Sequence, residues 1–443
     1  MRRWMLLVGS ISVTVLILSG MTPVGSEEDP DPHRSLDRII AEMRGAPTPA
    51  SPIVLDNFEL VGHLALGDPR DFADVWGHES FAYVGTRCGG DLSGGHGVKV
   101  VDLSDPESPV LASTLSTPAS TRAEDVVVRT VDTAAFTGDV AAVGIQDCFG
   151  SGEEHRAFTG MIFYDVTDGY APVELGRYEL PKGSFGCHEV DLAMRPDGMV
   201  LAGCAHNLVD QLNPGPRGVD FVDASDPTAP QTASKWSLGV EAEHGVGCFP
   251  IQFAHSVRFT NRGLEANVSN WDAGLITLDV SNPNAPLFER RIDVAPPDED
   301  GDVHSMTPAN GGKWIVINPE DFCVGGDFNG WGEAFIYDSR GQFLTTFSTP
   351  NSDSSRLDGI YTIHNTEEVL GDQFFSSWYS DGIVWWEYSG AVARQKGQFV
   401  PPSGPVGRPL IWGVYPHGGE DVILASDFGS GLWIVRPEGL GDF

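Results

Sequence analysis

Basic residues are scarce in this sequence. Of its 443 residues, 27 are Lys or Arg and 62 are Asp or Glu, so the formal net charge is −35. A surface this acidic repels nucleic acids and anionic lipids, and we therefore expect no nucleic-acid partner. One interpretation of the high negative charge is that it keeps the protein soluble. A second interpretation is that it attracts cations.

Helical patterns are also rare. Long amphipathic segments with caps are hard to find, whereas short apolar runs that end at Gly, Asp, Pro or Ser recur among 53 Gly and 31 Pro. This composition is typical of an all-β protein with many turns. After the N-terminus, no segment is apolar enough to cross a membrane.

The N-terminus contains an apolar run over residues 4–18, and two arginines precede it. Small residues near Ser26 predict a cleaved signal peptide at residues 1–26, followed by a polar leader or linker at 27–53. An uncleaved anchor is the alternative, although about 15 apolar residues are short for a span. No Cys follows the run, which argues against a lipoprotein. We expect a protein that is secreted or held at the cell surface.

The motifs of several enzyme classes are missing. The sequence has no GxSxG elbow, no phosphate-binding glycine loop, no HExxH and no GxGxxG after a strand. Nucleophilic hydrolysis and nucleotide chemistry therefore lose support. There is also no CxxC pair, so a zinc knuckle is not expected.

One phrase recurs along the chain. A Gly opens an apolar strand, an Asp closes it, and a Ser-Asp/Asn-Pro turn leads into a second strand. Clear copies are GVKVVDLSDPESP at 97, GMIFYDVTDGYAP at 160, GVDFVDASDPTAP at 218 and GLITLDVSNPNAP at 274. Weaker copies start at 332 and 382, and a truncated one starts at 431.

Two further strands precede each phrase, which makes seven units of four antiparallel strands. This pattern predicts a seven-bladed β-propeller over residues 54–437, followed by a tail at 438–443. The last unit lacks a fourth strand, and we expect the N-terminal strand within residues 58–68 to complete it and close the ring. The first strands of the units begin near Ala73, Glu124, His188, His255, His304, His364 and Trp412.

The phrases VKVVDLSDPESP and LITLDVSNPNAP, together with SSWYSDGIVWWEYS and the ending WGVYPHGGEDVILASDFGSGLWIVRP, resemble the LVIVD repeat family of exported bacterial and archaeal proteins. The resemblance covers most of residues 55–437. It implies a seven-bladed propeller at or outside the cell surface and no settled activity. The fifth and sixth copies lack the Asp-Pro turn and are expected to be the least regular blades.

Long, irregular loops are predicted on one face of the propeller, which is where a functional site is expected. Five of the six cysteines lie in or beside these loops, and Cys187 lies at the mouth beside His188. An even count in an exported chain suggests disulfides. Fifteen pairings are open, and the one we prefer joins Cys88 to Cys148, Cys187 to Cys204 and Cys248 to Cys323.

Four consecutive first strands begin with a histidine, which would place four imidazoles at one height of the channel mouth. Imidazole is a good ligand for divalent transition metals, so a metal site is one interpretation. A hydrogen-bonding scaffold and a metal-free ligand pocket are the alternatives. The candidate ligands are His188, His255, His304 and His364, and the candidate supporting residues or extra ligands are Glu124, Glu189, His206 and Asp302.

Further polar and aromatic residues follow the predicted second strands. They would make the mouth acidic and suited to a cation or polar ligand, although such aromatics often pack between blades. The residues of this candidate ligand-binding mouth are Asp147, Asn270, Trp271, Glu320, Asp321, Tyr379 and Asp381.

Three functions remain open. The sequence favours a monomeric, non-catalytic propeller that binds a ligand or surface partner at the mouth. The alternative is a metal-dependent oxidoreductase or hydrolase with the histidines as ligands. A purely structural surface protein is the third. No cofactor other than a divalent transition metal is expected.

Overall fold

The computed structural model describes residues 50–67, 71–89, 93–148, 157–182, 184–206, 218–238, 252–294, 301–322, 331–354, 358–403 and 407–443. These ranges contain thirty strands and one short 3-10 turn at Asn261–Gly263. No helix within them could span a membrane. The predicted signal peptide, Cys248 and Cys323 lie outside the described residues.

The strands form seven antiparallel sheets, and each sheet is one blade of a propeller. Two strands precede the first blade, β1 (Val54–Asp56) and β2 (Phe58–Leu64). Blade 1 contains β3 (Phe72–His78), β4 (Phe81–Thr86), β5 (Val98–Asp102) and β6 (Val110–Leu115). Blade 2 contains β7 (Thr121–Arg122), β8 (Val126–Asp132), β9 (Thr137–Asp147), β10 (Gly160–Asp165) and β11 (Val173–Glu179). Blade 3 contains β12 (Val190–Met194), β13 (Val200–Ala205), β14 (Gly218–Asp223) and β15 (Gln231–Ser237).

The remaining blades repeat this order. Blade 4 contains β16 (Ser256–Thr260), β17 (Glu265–Ser269), β18 (Leu275–Asp279) and β19 (Leu287–Ile292). Blade 5 contains β20 (Val303–Ala309), β21 (Trp314–Pro319), β22 (Ala334–Asp338) and β23 (Phe343–Phe347). Blade 6 contains β24 (Thr366–Val369), β25 (Gln373–Ser377), β26 (Ile383–Tyr388) and β27 (Ala393–Val400). Blade 7 contains β28 (Ile411–His417), β29 (Val422–Asp427) and β30 (Gly431–Pro437).

The ring closes as the sequence predicts. Strand β2 pairs with β30 from Phe58 opposite Pro437 to Leu64 opposite Leu432, and it supplies the fourth strand of blade 7. The inner strands of neighbouring blades contact one another, and β28 contacts β3 across the closure. The seven-bladed, all-β architecture is therefore confirmed. The sequence did not indicate that β1 pairs with β27 and adds a fifth strand to blade 6.

The turn after each third strand explains why an Asp recurs at the end of that strand. Asp102 accepts a hydrogen bond at Oδ1 from the Ser104 amide at 2.7 Å, and equivalent bonds recur at Asp165, Asp223 and Asp279. The fifth copy, which lacks Asp-Pro, retains the aspartate. Asp338 accepts from the amides of Arg340 and Gln342, and Gly341 takes the positive φ of 79° that the turn requires.

The core lies between adjacent blades. One cluster joins Val127 and Met161 of blade 2 to Val190, Leu192 and Val222 of blade 3, all of them buried. Burial of each such side chain stabilises the fold by about 1.5–3 kcal/mol. This packing holds the mouth ends of the inner strands in a defined arrangement.

Candidate metal centre

The four histidines, here called the histidine ring, occupy equivalent positions at the mouth ends of blades 3 to 6. The chain holds three of them there with main-chain hydrogen bonds to the second strand of the same blade. The bonds run from His188 to Ala205 at 2.9 Å, from His255 to Ser269 at 2.8 Å and from His364 to Ser377 at 3.0 Å. His188, His255, His304 and His364 are all buried, with exposures of 3%, 0%, 0% and 2%.

The imidazoles of the histidine ring contact one another in a continuous arc. The Nε2 atoms of His188 and His255 are 3.1 Å apart. Ring centroids are separated by 4.4 Å between His188 and His255, by 4.1 Å between His255 and His304, and by 4.0 Å between His304 and His364. The indole of Trp412 follows at 4.7 Å from His364. Side chains from different blades therefore meet at the channel mouth.

Two carboxylates lie between the imidazoles. Oε1 of Glu189 is 3.4 Å from Nδ1 of His255 and 3.5 Å from Nε2 of His304. The Glu320 oxygens lie 3.9 Å from Nε2 of His304 and 3.8 Å from Nε2 of His364. The Tyr379 hydroxyl donates a hydrogen bond to Glu320. Glu320 thus belongs to the histidine site and is not an exposed residue of the mouth.

The ligand atoms form two overlapping groups. Within each group, one atom per residue lies within 4.8 Å of the others: His188, Glu189 and His255 in one, and His255, His304 and Glu320 in the other. Zinc–nitrogen bonds of about 2.0–2.1 Å would turn the 3.1 Å spacing of the first two imidazoles into an angle of roughly 100° at the ion. That angle is close to the tetrahedral value. His255 is common to both groups, and His364 belongs to neither.

The imidazoles are in the protonation state that a metal requires. Burial lowers the pKa of His188, and it lowers the pKa of His255 and His304 well below the usual value. Burial also lowers the pKa of His364 to about 3. At neutral pH the four rings are therefore uncharged, which is the state in which imidazole coordinates a metal.

An ionised carboxylate anchors one end of the histidine ring. Burial raises the pKa of Glu124, but Arg122 and Arg87 outweigh this and hold it well below the usual range. Their guanidinium nitrogens lie 3.1 and 3.3 Å from Oε1, while Oε2 is 3.0 Å from Nδ1 of His188. Because Nδ1 faces this carboxylate, Nε2 is directed to His255, as in carboxylate–histidine–metal arrangements. Neither arginine was predicted, although both are rare basic residues beside predicted inner or second strands.

The other two carboxyl groups behave differently. Burial raises the pKa of Glu320 to about 8 and raises the pKa of Glu189 well above its usual value. Glu320 is therefore protonated at neutral pH and would release a proton on coordinating a cation.

A second ring of polar residues lies one position further along the inner strands. It lines a cavity of about 90 Å³ in the channel, which has room for several water molecules. Gly413 completes it, because a Cβ at that position would collide with Asp74. Apart from Glu189, no member of this ring was predicted, although the ring can be read from the same alignment. Its members are Asp74, Asp125, Glu189, Ser256, Ser305 and Asn365.

Residues 69–117 and 266–294 match the family model of the LVIVD repeat. The chain is a seven-bladed β-propeller that carries LVIVD repeats in these two segments. The first matched segment contains all of blade 1, and the second contains most of blade 4, including β18 and β19. A search of curated proteins found no match to the chain.

Two predicted supporting residues of this LVIVD propeller have other neighbours. Nε2 of His206 lies 3.2 Å from Oδ1 of Asp220 within blade 3. Asp302 is fully buried, and its main-chain carbonyl accepts a hydrogen bond from the amide of Glu320 at 2.9 Å. Asp302 therefore supports the segment that carries Glu320.

The residues predicted to form a ligand-binding mouth are mostly buried in the LVIVD propeller. Trp271 stacks on His255 at 5.3 Å, and Tyr379 lies 5.3 Å from His364, so both aromatics pack against the histidine ring. Asp321 is half-buried. The fully or almost fully buried members are Asp147, Asn270, Trp271, Glu320, Tyr379 and Asp381.

Two of the three predicted disulfides are confirmed. Cys88 and Cys148 join blade 1 to blade 2, with Cα atoms 5.6 Å apart. Cys187 and Cys204 join the start of blade 3 to its second strand at 5.1 Å, directly beside His188.

Proposed function

We propose that this LVIVD propeller binds a divalent transition metal ion in the histidine ring, with His255 as the central ligand. The observation that carries the proposal is the convergence of three neutral imidazoles and two carboxyl groups from blades 3 to 5 around His255. Nitrogen and carboxylate donors in this mixture suit zinc, copper, iron, nickel or manganese.

We place the protein outside the cytoplasm. Its two disulfides, Cys88–Cys148 and Cys187–Cys204, support that location because such bonds persist in oxidising compartments. The apolar run at residues 4–18, with its two preceding arginines, is consistent with export.

A metal-dependent oxidoreductase or hydrolase is the second candidate function. The observation that favours it is the channel cavity beneath Glu189, which gives a small molecule room beside a ligand group. A bound ion with an open position can activate water or bind a substrate oxygen. Non-catalytic binding of a ligand at the mouth remains a prediction, and the burial of Trp271 and Tyr379 reduces their value as contact residues.

Metal analysis of the purified protein tests the proposal. Wild type, His255→Ala and His364→Ala are loaded with each candidate metal, dialysed and analysed by plasma mass spectrometry. We expect His255→Ala to hold one equivalent less than wild type. His364→Ala is the matched control, because it has the same register and burial but lies outside both ligand groups. Equal metal content in wild type and His255→Ala would refute the proposal.

A further inference from the structure

A second cluster of metal-ligating side chains lies on the opposite face of the propeller. Strand β3 runs from the mouth at Phe72 to its far end at His78. A rise of about 3.3 Å per residue places His78 roughly 16 Å from Ala73, the position of blade 1 that corresponds to the histidine ring. The cluster is therefore separate from the site described above.

Its three residues come from blades 1 and 2. His78 ends the inner strand of blade 1, Glu79 follows it in the turn, and Asp139 lies in the second strand of blade 2. One ligand atom from each lies within 4.8 Å of the other two. An imidazole and two carboxylates are donors that a zinc-like ion prefers.

The contact between His78 and Asp139 is close but poorly directed for a hydrogen bond. Nε2 of His78 lies 3.0 Å from Oδ1 of Asp139, and both side chains are largely buried. Among the described residues, that nitrogen has no aligned hydrogen-bond partner. The same Oδ1 already accepts a hydrogen bond from Thr130 at 2.7 Å. Two donor atoms that are close without facing each other suit coordination of an ion beside them.

We propose that His78, Glu79 and Asp139 form a second site for a zinc-like divalent ion. One imidazole and two carboxylates come from the protein, which leaves the remaining coordination position to water. The ion would join blades 1 and 2 on the face opposite the histidine ring. Its role would be to stabilise the contact between these two blades, independently of any metal in the histidine ring.

Zinc titration of the full-length, metal-free protein tests this site. Wild type is compared with Asp139→Asn, His255→Ala and the double variant by calorimetry and by the melting temperature with and without zinc. Asp139→Asn is nearly isosteric, and its amide oxygen can still accept the bond from Thr130. His63→Ala, at an exposed imidazole on the outer strand β2, is the control for unspecific histidine effects.

We expect two equivalents of zinc in wild type and His63→Ala, one in each single-site variant, and none in the double variant. In His255→Ala, the remaining equivalent should still raise the melting temperature. A single wild-type equivalent that His255→Ala abolishes would overturn the second site and leave the proposed function intact. If wild type binds a single equivalent and Asp139→Asn binds none, the proposed function is refuted and the second site stands. If Asp139→Asn does not fold, the stoichiometry of His255→Ala decides, since zero ions there would refute the second site.

Discussion

Replacing His364 with Leu should change how the stability of the metal-free protein depends on pH. Burial lowers the pKa of His364 to about 3 from the 6.5 expected in the unfolded chain. Below pH 6.5 the unfolded chain takes up a proton that the folded chain cannot accept. The contribution of His364 is therefore fully present above pH 6.5 and is lost as the pH falls towards 3. Between pH 7 and pH 5 the loss is about 2 kcal/mol.

The pH dependence of wild type alone would not reveal this effect. Burial raises the pKa of Glu320 to about 8, so the folded chain keeps a proton that the unfolded chain loses above pH 4.5. That contribution is present at low pH and is lost as the pH rises to 8. From pH 7 to pH 5 it stabilises the fold by about 2.5 kcal/mol, which roughly offsets the loss at His364.

The assay therefore compares the change in unfolding free energy between pH 7 and pH 5 in wild type with the same change in the variant. Urea unfolding of wild type and His364→Leu, with chelator present and disulfides intact, gives the free energy of unfolding at pH 7 and pH 5. We expect wild type to lose about 2 kcal/mol relative to the variant on acidification. His63→Leu, at an exposed imidazole, is the control and should follow wild type. Parallel pH dependence of wild type and His364→Leu would refute a buried, neutral imidazole at this position.

Three further outcomes follow from the same geometry. Metal affinity should rise by up to about tenfold per pH unit below pH 8, because coordination by Glu320 releases a proton. Competition with a chelator at pH 6 and pH 7 measures this rise. The variant Glu320→Gln should show a weaker dependence of metal affinity on pH. Glu124→Gln should destabilise the protein by about 3–5 kcal/mol in urea unfolding, because the buried guanidinium groups of Arg87 and Arg122 lose their carboxylate partner. A loss of stability under about 1 kcal/mol would contradict this dependence on Glu124. Replacing Cys88 and Cys148 with Ser should cost about 4 kcal/mol for a sequence separation of 60 residues, and an unchanged melting temperature would contradict the bond.

Much of the fold could be read from the repeat. In each turn after a third strand, an Asp side chain accepts a hydrogen bond from the amide two residues later. Because this interaction is local, the sequence alone predicts the turn. The missing fourth strand of the last unit similarly predicts closure by β2. The fifth copy shows the limit of the pattern, because Asp338 and Gly341 build an equivalent turn without proline.

The site was only partly predictable. Aligning the repeats gives four histidines at one height, since the main-chain register repeats from blade to blade. It does not show that His255 lies in both ligand groups or that His364 lies in neither. It also does not show that Arg87 and Arg122 hold Glu124 in its charged form.

The sequence by itself determined the local features: strand periodicity, turn chemistry, the number of blades and the position of each histidine along its strand. Each of these depends on residues close together in the chain. Only the tertiary structure decided which side chains meet, because contacts such as His188 with His255 or His78 with Asp139 join different blades. Those distances depend on the twist of each blade and on the closure of the ring, which arise from the packing of the whole propeller.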